Sequence, residues 1–327
     1  MKKIAYVIPY FGKLPKGFRF WLLGAKSNDT VDFLIFTDDR TDYDFPNNVK
    51  VTYLTFEEMK SKIQSLFDFH VFLDRPYKLC DFRPAFGDIF SKELTDYDFW
   101  GYCDLDIIFG DIRKFVSEEM LDKYDRVGCQ GHSTLLRNTP FVNMLYQTVV
   151  SDYDYKTVFS SEKTYAFDEL GMDAIFNSLN IEYYKKTNFV HLTKFDYNFF
   201  MALLPSELDY KNKYQVFTWK NGKLIRHLIV DDELLEEEYM YLHYWLRPTS
   251  FRIKKYDTGV QYLIYPDVTT DKYYEINKET VIKKSRQNKF VFYSKYIWQY
   301  RKKLNLRRIV SNINGVFYNK RNRKGLR

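Results

Sequence analysis

The chain has 327 residues, 45% hydrophobic and 19% aromatic, with Tyr and Phe at 29 each. That supplies the core of one large domain, or of a domain with a substantial appendix, and excludes a disordered or low-complexity protein. The net charge of +7 divides into −8 over residues 1–280 and +15 over the tail from Val281 to Arg327, where fifteen Lys or Arg stand without an Asp or Glu, so the body is acidic and only the tail is basic.

Cys80, Cys103 and Cys129 are too few and too widely spaced for a disulfide framework or a zinc pattern, which points to a reducing cytoplasm. The start, Met1-Lys2-Lys3 followed by Ile4 to Pro9, is too short for a signal peptide and continues as a strand. No apolar run approaches the roughly 20 residues of a spanning helix.

Lys3 to Tyr10 reads as a first strand ending at Pro9-Tyr10-Phe11-Gly12, and Phe18 to Gly24 as the apolar part of a helix. Val31 to Asp39 is a β-rich run that closes on Thr37-Asp38-Asp39. Val49 to Leu54 is a third such run, followed by a helix from Phe56 to Phe67. Strands spaced by helices argue for a mostly parallel α/β sheet, with ligands gathered at the carboxyl ends of the strands. Gly12 and the Thr37-Asp38-Asp39 end would stand on that edge, although plain turn chemistry explains each of them as well.

Tyr77 to Phe90 reads as a helix that Asp81 could cap, tolerating Pro84 in its first turn and carrying Phe86, Ile89 and Phe90 on one face. Lys78 and Arg83 bracket its start, an arrangement suited to phosphate oxygens or, equally, to solvated charges.

Trp100-Gly101-Tyr102-Cys103-Asp104-Leu105-Asp106-Ile107-Ile108-Phe109-Gly110-Asp111 follows. Aromatic and β-branched residues flank two acids, as in a buried strand entering a tight turn. Two carboxylates in such a place need a cation, and in an extended chain residues two apart share a face, so Asp104 and Asp106 could reach one ion, although the Asp-x-Asp tripeptide taken alone also arises by chance in solvated turns. Two hard oxygen ligands suit Mn²⁺ or Mg²⁺, completed by substrate phosphates and water.

Gly128 to Pro140 reads as strand plus loop, with His132 either on a ligand hydroxyl or satisfying a turn. Residues 151–167, polar and rich in tyrosine, read as a flexible loop. Phe167-Asp168-Glu169-Leu170-Gly171 opens a helix with acids at its start, which helix electrostatics favour and which general-base work or sugar-hydroxyl binding also uses. His191 and His243 each end an apolar run. His243, followed by Arg247-Pro248, is the better candidate to complete the Asp104/Asp106 site.

Asp267 to Glu279 reads as a linker between a body of residues 1–266 and an appendix of residues 267–327. In that appendix Phe290, Tyr293, Tyr296 and Trp298 interleave with Lys295, Arg301, Lys302, Lys303, Arg307 and Arg308. Such a helix suits an anionic bilayer, single-stranded nucleic acid is the competing partner, and a disordered basic tail is the third reading.

The order Lys78…Asp81-Phe82-Arg83…Gly101-Tyr102-Cys103-Asp104-Leu105-Asp106…His243-Tyr244-Trp245-Leu246-Arg247-Pro248 resembles GT-A type nucleotide-sugar glycosyltransferases of families 8 and 32. With Gly131-His132-Ser133 and Phe167-Asp168-Glu169, the layout of residues 1–250 is similar to bacterial glycosyltransferase-like proteins of capsule and lipopolysaccharide loci. Cys80 replaces the family's Ser, and Arg83 sits one place closer to Asp81.

The resemblance implies a GT-A α/β fold and transfer of a sugar from a nucleotide-diphosphate donor, a UDP-hexose, to a hydroxyl of a surface glycan or glycolipid. It puts Asp104, Asp106 and His243 on Mn²⁺ or Mg²⁺, Asp104 also near the ribose, and Tyr10, Asp38, Asp39 and Asp81 with the donor. Lys78, Arg83 or Arg247 would sit on the leaving diphosphate. Asp168 or Glu169 would be the base if configuration inverts; retention, which the two families imply, needs none. The expected location is cytoplasmic, peripheral on the inner face of the cell membrane, with nucleic acid disfavoured as a partner. A non-catalytic glycan-binding fold is the remaining alternative.

Overall fold

The computed structural model describes the chain apart from residues 152, 187, 194–196, 198, 200, 202–211, 287 and 301–327 and the side chain of residue 300. Its first sheet is built from β1 (Ile4–Pro9), β2 (Val31–Thr37), β3 (Val49–Tyr53) and β4 (Phe99–Cys103). After β5 (Ile107–Phe109), which lies outside it, the sheet is completed by β6 (Arg126–Gln130) and β7 (Ser133–Arg137). The order is β3-β2-β1-β4-β7-β6, with β1 to β4 parallel, β7 antiparallel to β4 and β6 antiparallel to β7.

Both faces are covered, which is why the strands are nearly continuous apolar runs. Ile4, Tyr6 and Ile8 pack with Phe18 and Trp21 of the helix Phe18–Lys26. Ala5 and Val7, pointing the other way, join Phe82, Phe86 and Phe159. The carboxyl ends of β1, β2 and β4 share one edge, so Tyr10, Asp38 and Asp104 follow there. The α/β expectation of a mostly parallel, helix-flanked sheet holds.

Beyond this sheet lie strands that the sequence reading left out. β8 (Phe189–His191) precedes β9 (Gln215–Lys220), β10 (Lys223–Val230), β11 (Glu233–Tyr239), β12 (Tyr241–His243), β13 (Ser250–Arg252), β14 (Tyr262–Tyr265) and β15 (Val268–Thr270). Six of them form a sheet in the order β11-β10-β9-β14-β15-β13, while β5, β12 and β8 make a small three-stranded sheet.

Asn221 and Gly222, at φ 49° and 73°, turn β9 into β10, and Asp231 and Asp232, at 47° and 71°, turn β10 into β11. Positive φ at both central residues is the hairpin geometry that matches strand twist. The helix Phe18–Lys26 serves both large sheets, because its Phe20 and Leu23 pack with Phe217, Trp219 and Tyr262. The Trp219 indole donates to the Phe109 carbonyl at 2.7 Å and so fastens the second sheet to β5.

Three expectations about loops change. Within residues 151–167 the helix Tyr155–Ser160 is capped by Asp154 and buries Val158 and Phe159. The expected linker contains β15, which pairs with β13 and β14, so a boundary at 266/267 would cut the turn of the β14–β15 hairpin. The helix Lys278–Ser285 then sets Val281, fully buried, against Val216 and Leu263.

In the helix Lys289–Tyr300, Phe292 is buried while Phe290, Val291, Ile297 and Trp298 are exposed. The basic stretch from Arg301 onward lies outside the described residues. Among the described residues no helix is long and apolar enough to cross a membrane.

Candidate active site

β4 ends at Cys103, and the chain turns through Asp104-Leu105-Asp106 before β5 begins. The acids therefore sit in a turn rather than in an extended strand. Buried Leu105 anchors that turn, and the two carboxylates still face one point. β12 runs antiparallel to β5 with His243 opposite Ile107, which brings His243 Nε2 to 3.3 Å from Asp106 Oδ1 and 3.8 Å from Asp104 Oδ2. The next residues close around Asp106: Tyr244 N–H donates to its carbonyl and Leu246 N–H to Oδ2, both at 2.9 Å.

Burial pushes the Asp106 carboxyl up, but the hydrogen bond and charge of His243 and the Leu246 N–H outweigh it and hold the group below its ordinary value. One ligand atom from each of Asp104, Asp106 and His243 falls within 4.8 Å of the others. Two carboxylate oxygens and an imidazole fit Mn²⁺, and fit Mg²⁺ less well because of the nitrogen.

Arg83 ties this turn to a second acidic segment. Its Nη2 donates to Asp104 Oδ1 at 2.5 Å, and its Nη1 to Asp168 Oδ2 at 2.9 Å and to the Gly131 carbonyl at 2.7 Å. Asp168 and Glu169 ride on a π-helical turn, Phe167–Gly171, entered through Ala166 in the left-handed region at φ 50°. Burial raises the Asp168 carboxyl to about 6 against the pull of Arg83.

Glu169 Oε1 accepts the Gly131 N–H at 2.7 Å. A Cβ at Gly131 would lie 2.6 Å from Asp168 Oδ2, 3.0 Å from Glu169 Oε1 and 3.1 Å from Arg83 Nη1. Only glycine admits this approach. Tyr10, half-buried, is close enough to Asp106 and Asp104 that their charge, after burial, raises its hydroxyl pKa.

Other expected donor contacts are corrected. Lys78 and Asp81 are fully buried: Lys78 Nζ bonds to Asp81 Oδ2 at 2.8 Å, the Val158 carbonyl at 2.9 Å and the Lys163 carbonyl at 2.5 Å, which uses every proton a phosphate would need. Asp81 caps no helix start. Its oxygens accept the N–H groups of Tyr165 and Phe167, so the pair frames the turn carrying Asp168.

Arg247 gives Nη1 to the Thr193 carbonyl at 2.6 Å and Nη2 to the Tyr197 carbonyl at 3.0 Å. Its guanidinium lies over the Phe199 and Phe292 rings, a structural clamp rather than a diphosphate contact. Asp39 is buried and accepts from Thr41 Oγ1, Leu14 N–H, Thr41 N–H and Lys13 Nζ. These bonds, Thr41 foremost, hold its carboxyl far below the usual range and leave it no ribose to meet. Asp38, exposed, gives one oxygen to Gly12 N–H at 2.7 Å and keeps the other outward.

The family model described as "Family of unknown function (DUF6625)" matches residues 6–273. The chain belongs to the DUF6625 family. No curated protein matches this DUF6625 chain. Solved structures similar to it include mouse xyloside xylosyltransferase 1 in its apo form, at 11% identity over 59% of this chain and 88% of that one, TM-score 0.34. Galactosyltransferase LgtC in complex with donor and acceptor sugar analogs is 10% identical over 73% and 86%, TM-score 0.36. Glycosyltransferase GlyE of Streptococcus pneumoniae TIGR4 is 13% identical over 57% and 45%, TM-score 0.30. These likenesses are distant, and residue roles in the DUF6625 chain rest on the geometry above.

The sequence reading missed how the histidines of this DUF6625 chain meet. His243 pairs with His191 across the parallel strands β12 and β8, with Nδ1 to Nδ1 at 2.9 Å. His132, in the turn between β6 and β7, lies 4.4 Å from His243, centroid to centroid, with the rings tilted by 41°. Burial holds the His132 imidazole well below its ordinary pKa, so it is neutral near pH 7. A signal existed in the matching positions of His191 and His243 after Phe-Val and Tyr-Leu, but strands of three residues carry too little periodicity to pair by eye.

Proposed function

We propose that this chain is a metal-dependent glycosyltransferase of GT-A type, moving a sugar from a nucleoside-diphosphate donor, a UDP-hexose, to a hydroxyl of a bacterial surface glycan or glycolipid. The carrying observation is convergence: Asp104 and Asp106 from one turn and His243 from a strand far along the chain present three ligand atoms within 4.8 Å, beside an arginine that already holds Asp104. Bound there, Mn²⁺ would neutralise the charge that develops on the leaving diphosphate.

The chain's own groups do the positioning. Arg83 fixes Asp104 and Asp168 relative to each other, so the cation ligands and the acidic turn present one rigid rim. Gly131 lets Asp168 and Glu169 pack closely against that rim, where they have carboxylate oxygens to offer a sugar's hydroxyl groups. Both acids are engaged by donors, Asp168 by Arg83 and Glu169 by Gly131 N–H. We therefore read them as binding groups in a retaining transfer and not as a free base. The tail from residue 301 onward, with ten Lys or Arg and no acid, would hold the enzyme on the anionic inner face of the cell membrane.

The test is a panel of nucleotide sugars with Mn²⁺, first for protection against heating and then for release of the nucleoside diphosphate. Asp106→Ala and His243→Ala should release it about 100-fold or more slowly while remaining folded; wild-type turnover in both would refute the metal assignment. Proton NMR of the product should show the donor's anomeric configuration kept, and inversion would return Asp168 to the role of base.

A further inference from the structure

Of the five histidines in the chain, three meet in one place, brought by three separate segments: the β6–β7 turn, the end of β8 and the end of β12. Their ring centroids are 4.4 Å apart for His132 and His243, 4.7 Å for His191 and His243, and 5.1 Å for His132 and His191. All three are at most 6% exposed. One nitrogen from each lies within 4.8 Å of the others.

We propose that His132, His191 and His243 form a second cation site, one for a borderline ion such as Zn²⁺, which shares the His243 ring with the carboxylate site but uses its other nitrogen. The site is independent of whether the acid turn serves sugar transfer.

His132 Nδ1 is bonded to the Tyr241 hydroxyl at 2.9 Å, while its Nε2 is enclosed with no hydrogen-bond partner among the described residues. Leaving a buried imidazole nitrogen unmatched is unfavourable, and an ion on its lone pair removes that penalty. Ligating imidazoles generally donate their second N–H to a nearby group. Here acceptors stand in place for two of the three rings: Tyr241 Oη for His132, and Asp106 Oδ1, 3.3 Å from Nε2, for His243.

The 2.9 Å gap between His191 Nδ1 and His243 Nδ1 is a hydrogen bond when one of them carries a proton. Two nitrogens each about 2.0–2.1 Å from a tetrahedral ion stand roughly 3.3 Å apart, so only a few tenths of an ångström separate the two arrangements. Three neutral nitrogens without a carboxylate favour Zn²⁺ over Mg²⁺ or Mn²⁺.

A neutral imidazole has one lone pair. An ion taken on His243 Nδ1 therefore puts the proton on Nε2 and withdraws that nitrogen from the acid turn, so the two sites exclude each other. Zn²⁺ entering the histidine cluster would weaken Mn²⁺ binding next to it.

Co²⁺ reads the geometry, since tetrahedral nitrogen sites absorb visible light strongly and octahedral oxygen sites weakly. Untagged full-length protein carrying Asp104→Asn with Asp106→Asn should still take up one Co²⁺ with the strong absorption, and Zn²⁺ should displace it. His132→Ala and the bulkier His132→Gln should lose that absorption yet bind Mn²⁺ as wild type does, by electron paramagnetic resonance, with Zn²⁺ now a weaker competitor. Absence of strong absorption from both the wild type and the double Asn variant would overturn the proposal, as would full absorption in both His132 variants. Failure of the transferase reading registers separately, as unchanged diphosphate release from Asp106→Ala.

Discussion

Lys78 bonds to one carboxylate and two carbonyls inside the protein, and its removal tests what kind of residue it is. Lys78→Ala would leave Asp81 buried without its counter-charge, and the chain should lose about 3–5 kcal/mol of stability in denaturant unfolding; a phosphate-binding lysine would leave stability alone and raise the donor KM. Asp168 gives a pH signature. Its folded pKa of about 6 stands above the unfolded value of about 4, so between those values the folded state binds more protons than the unfolded one. Stability should fall as pH rises through that window and level off above it. Asp168→Asn should flatten this segment of a melting-temperature profile, and an unchanged slope would assign it to another group. At this scale the sequence grouped Asp104, Asp106 and His243, and the fold brings one ligand atom from each within 4.8 Å of the others, with Arg83 linking Asp104 to Asp168, because acids among apolar residues need a cation wherever they fold. It was a poor guide to Lys78, Asp39 and Arg247, because a charged residue at a ligand edge and one that ties loops together look alike until its partners are known.

Among the elements, the parallel sheet was legible and the second sheet was not, and the strands themselves say why. β1, β2 and β4 are apolar on both faces, a pattern that needs no partner to be recognised. β11 carries Glu233, Glu236, Glu237 and Glu238, poor strand formers on their own. Two of them are matched by residues directly opposite across the hairpin: Arg226 Nη1 meets Glu237 Oε2 at 2.8 Å and His227 Nδ1 meets Glu236 Oε1 at 3.0 Å. Cross-strand pairs of this kind appear only once the register is known. The Asn221-Gly222 turn was the readable sign, and it has its own test. Gly222 sits at φ 73°, and a Cβ there would come within 2.8 Å of Ser27 Cβ. Gly222→Ala should therefore lower stability by about 1–2 kcal/mol, from the backbone strain and the contact together. Asn221→Ala, at φ 49° without that contact, should cost less; equal losses would remove Ser27 from the explanation.

For the molecule as a whole, the acidic body and the basic end are separable, but not at residue 281. The helix Lys278–Ser285 seats Val281 in the core, and Phe292 lies 4.6 Å under the Arg247 guanidinium. A cut after Tyr300 leaves every described core contact in place. Removing residues 301–327 should leave the melting temperature unchanged and abolish binding to anionic vesicles at low salt, and equal vesicle binding by both forms would refute the membrane role. The small sheet β5-β12-β8 has a consequence for how the protein is made. β5, which begins directly after the acid turn, finds its neighbour in β12, which the ribosome delivers more than 130 residues later. Until then a nascent chain holds the two aspartates beside an unpaired strand edge and without an imidazole. Metal affinity should thus arise late and all at once, when residue 243 clears the exit tunnel, so a ribosome stalled earlier would carry a well-formed first sheet that grips no manganese.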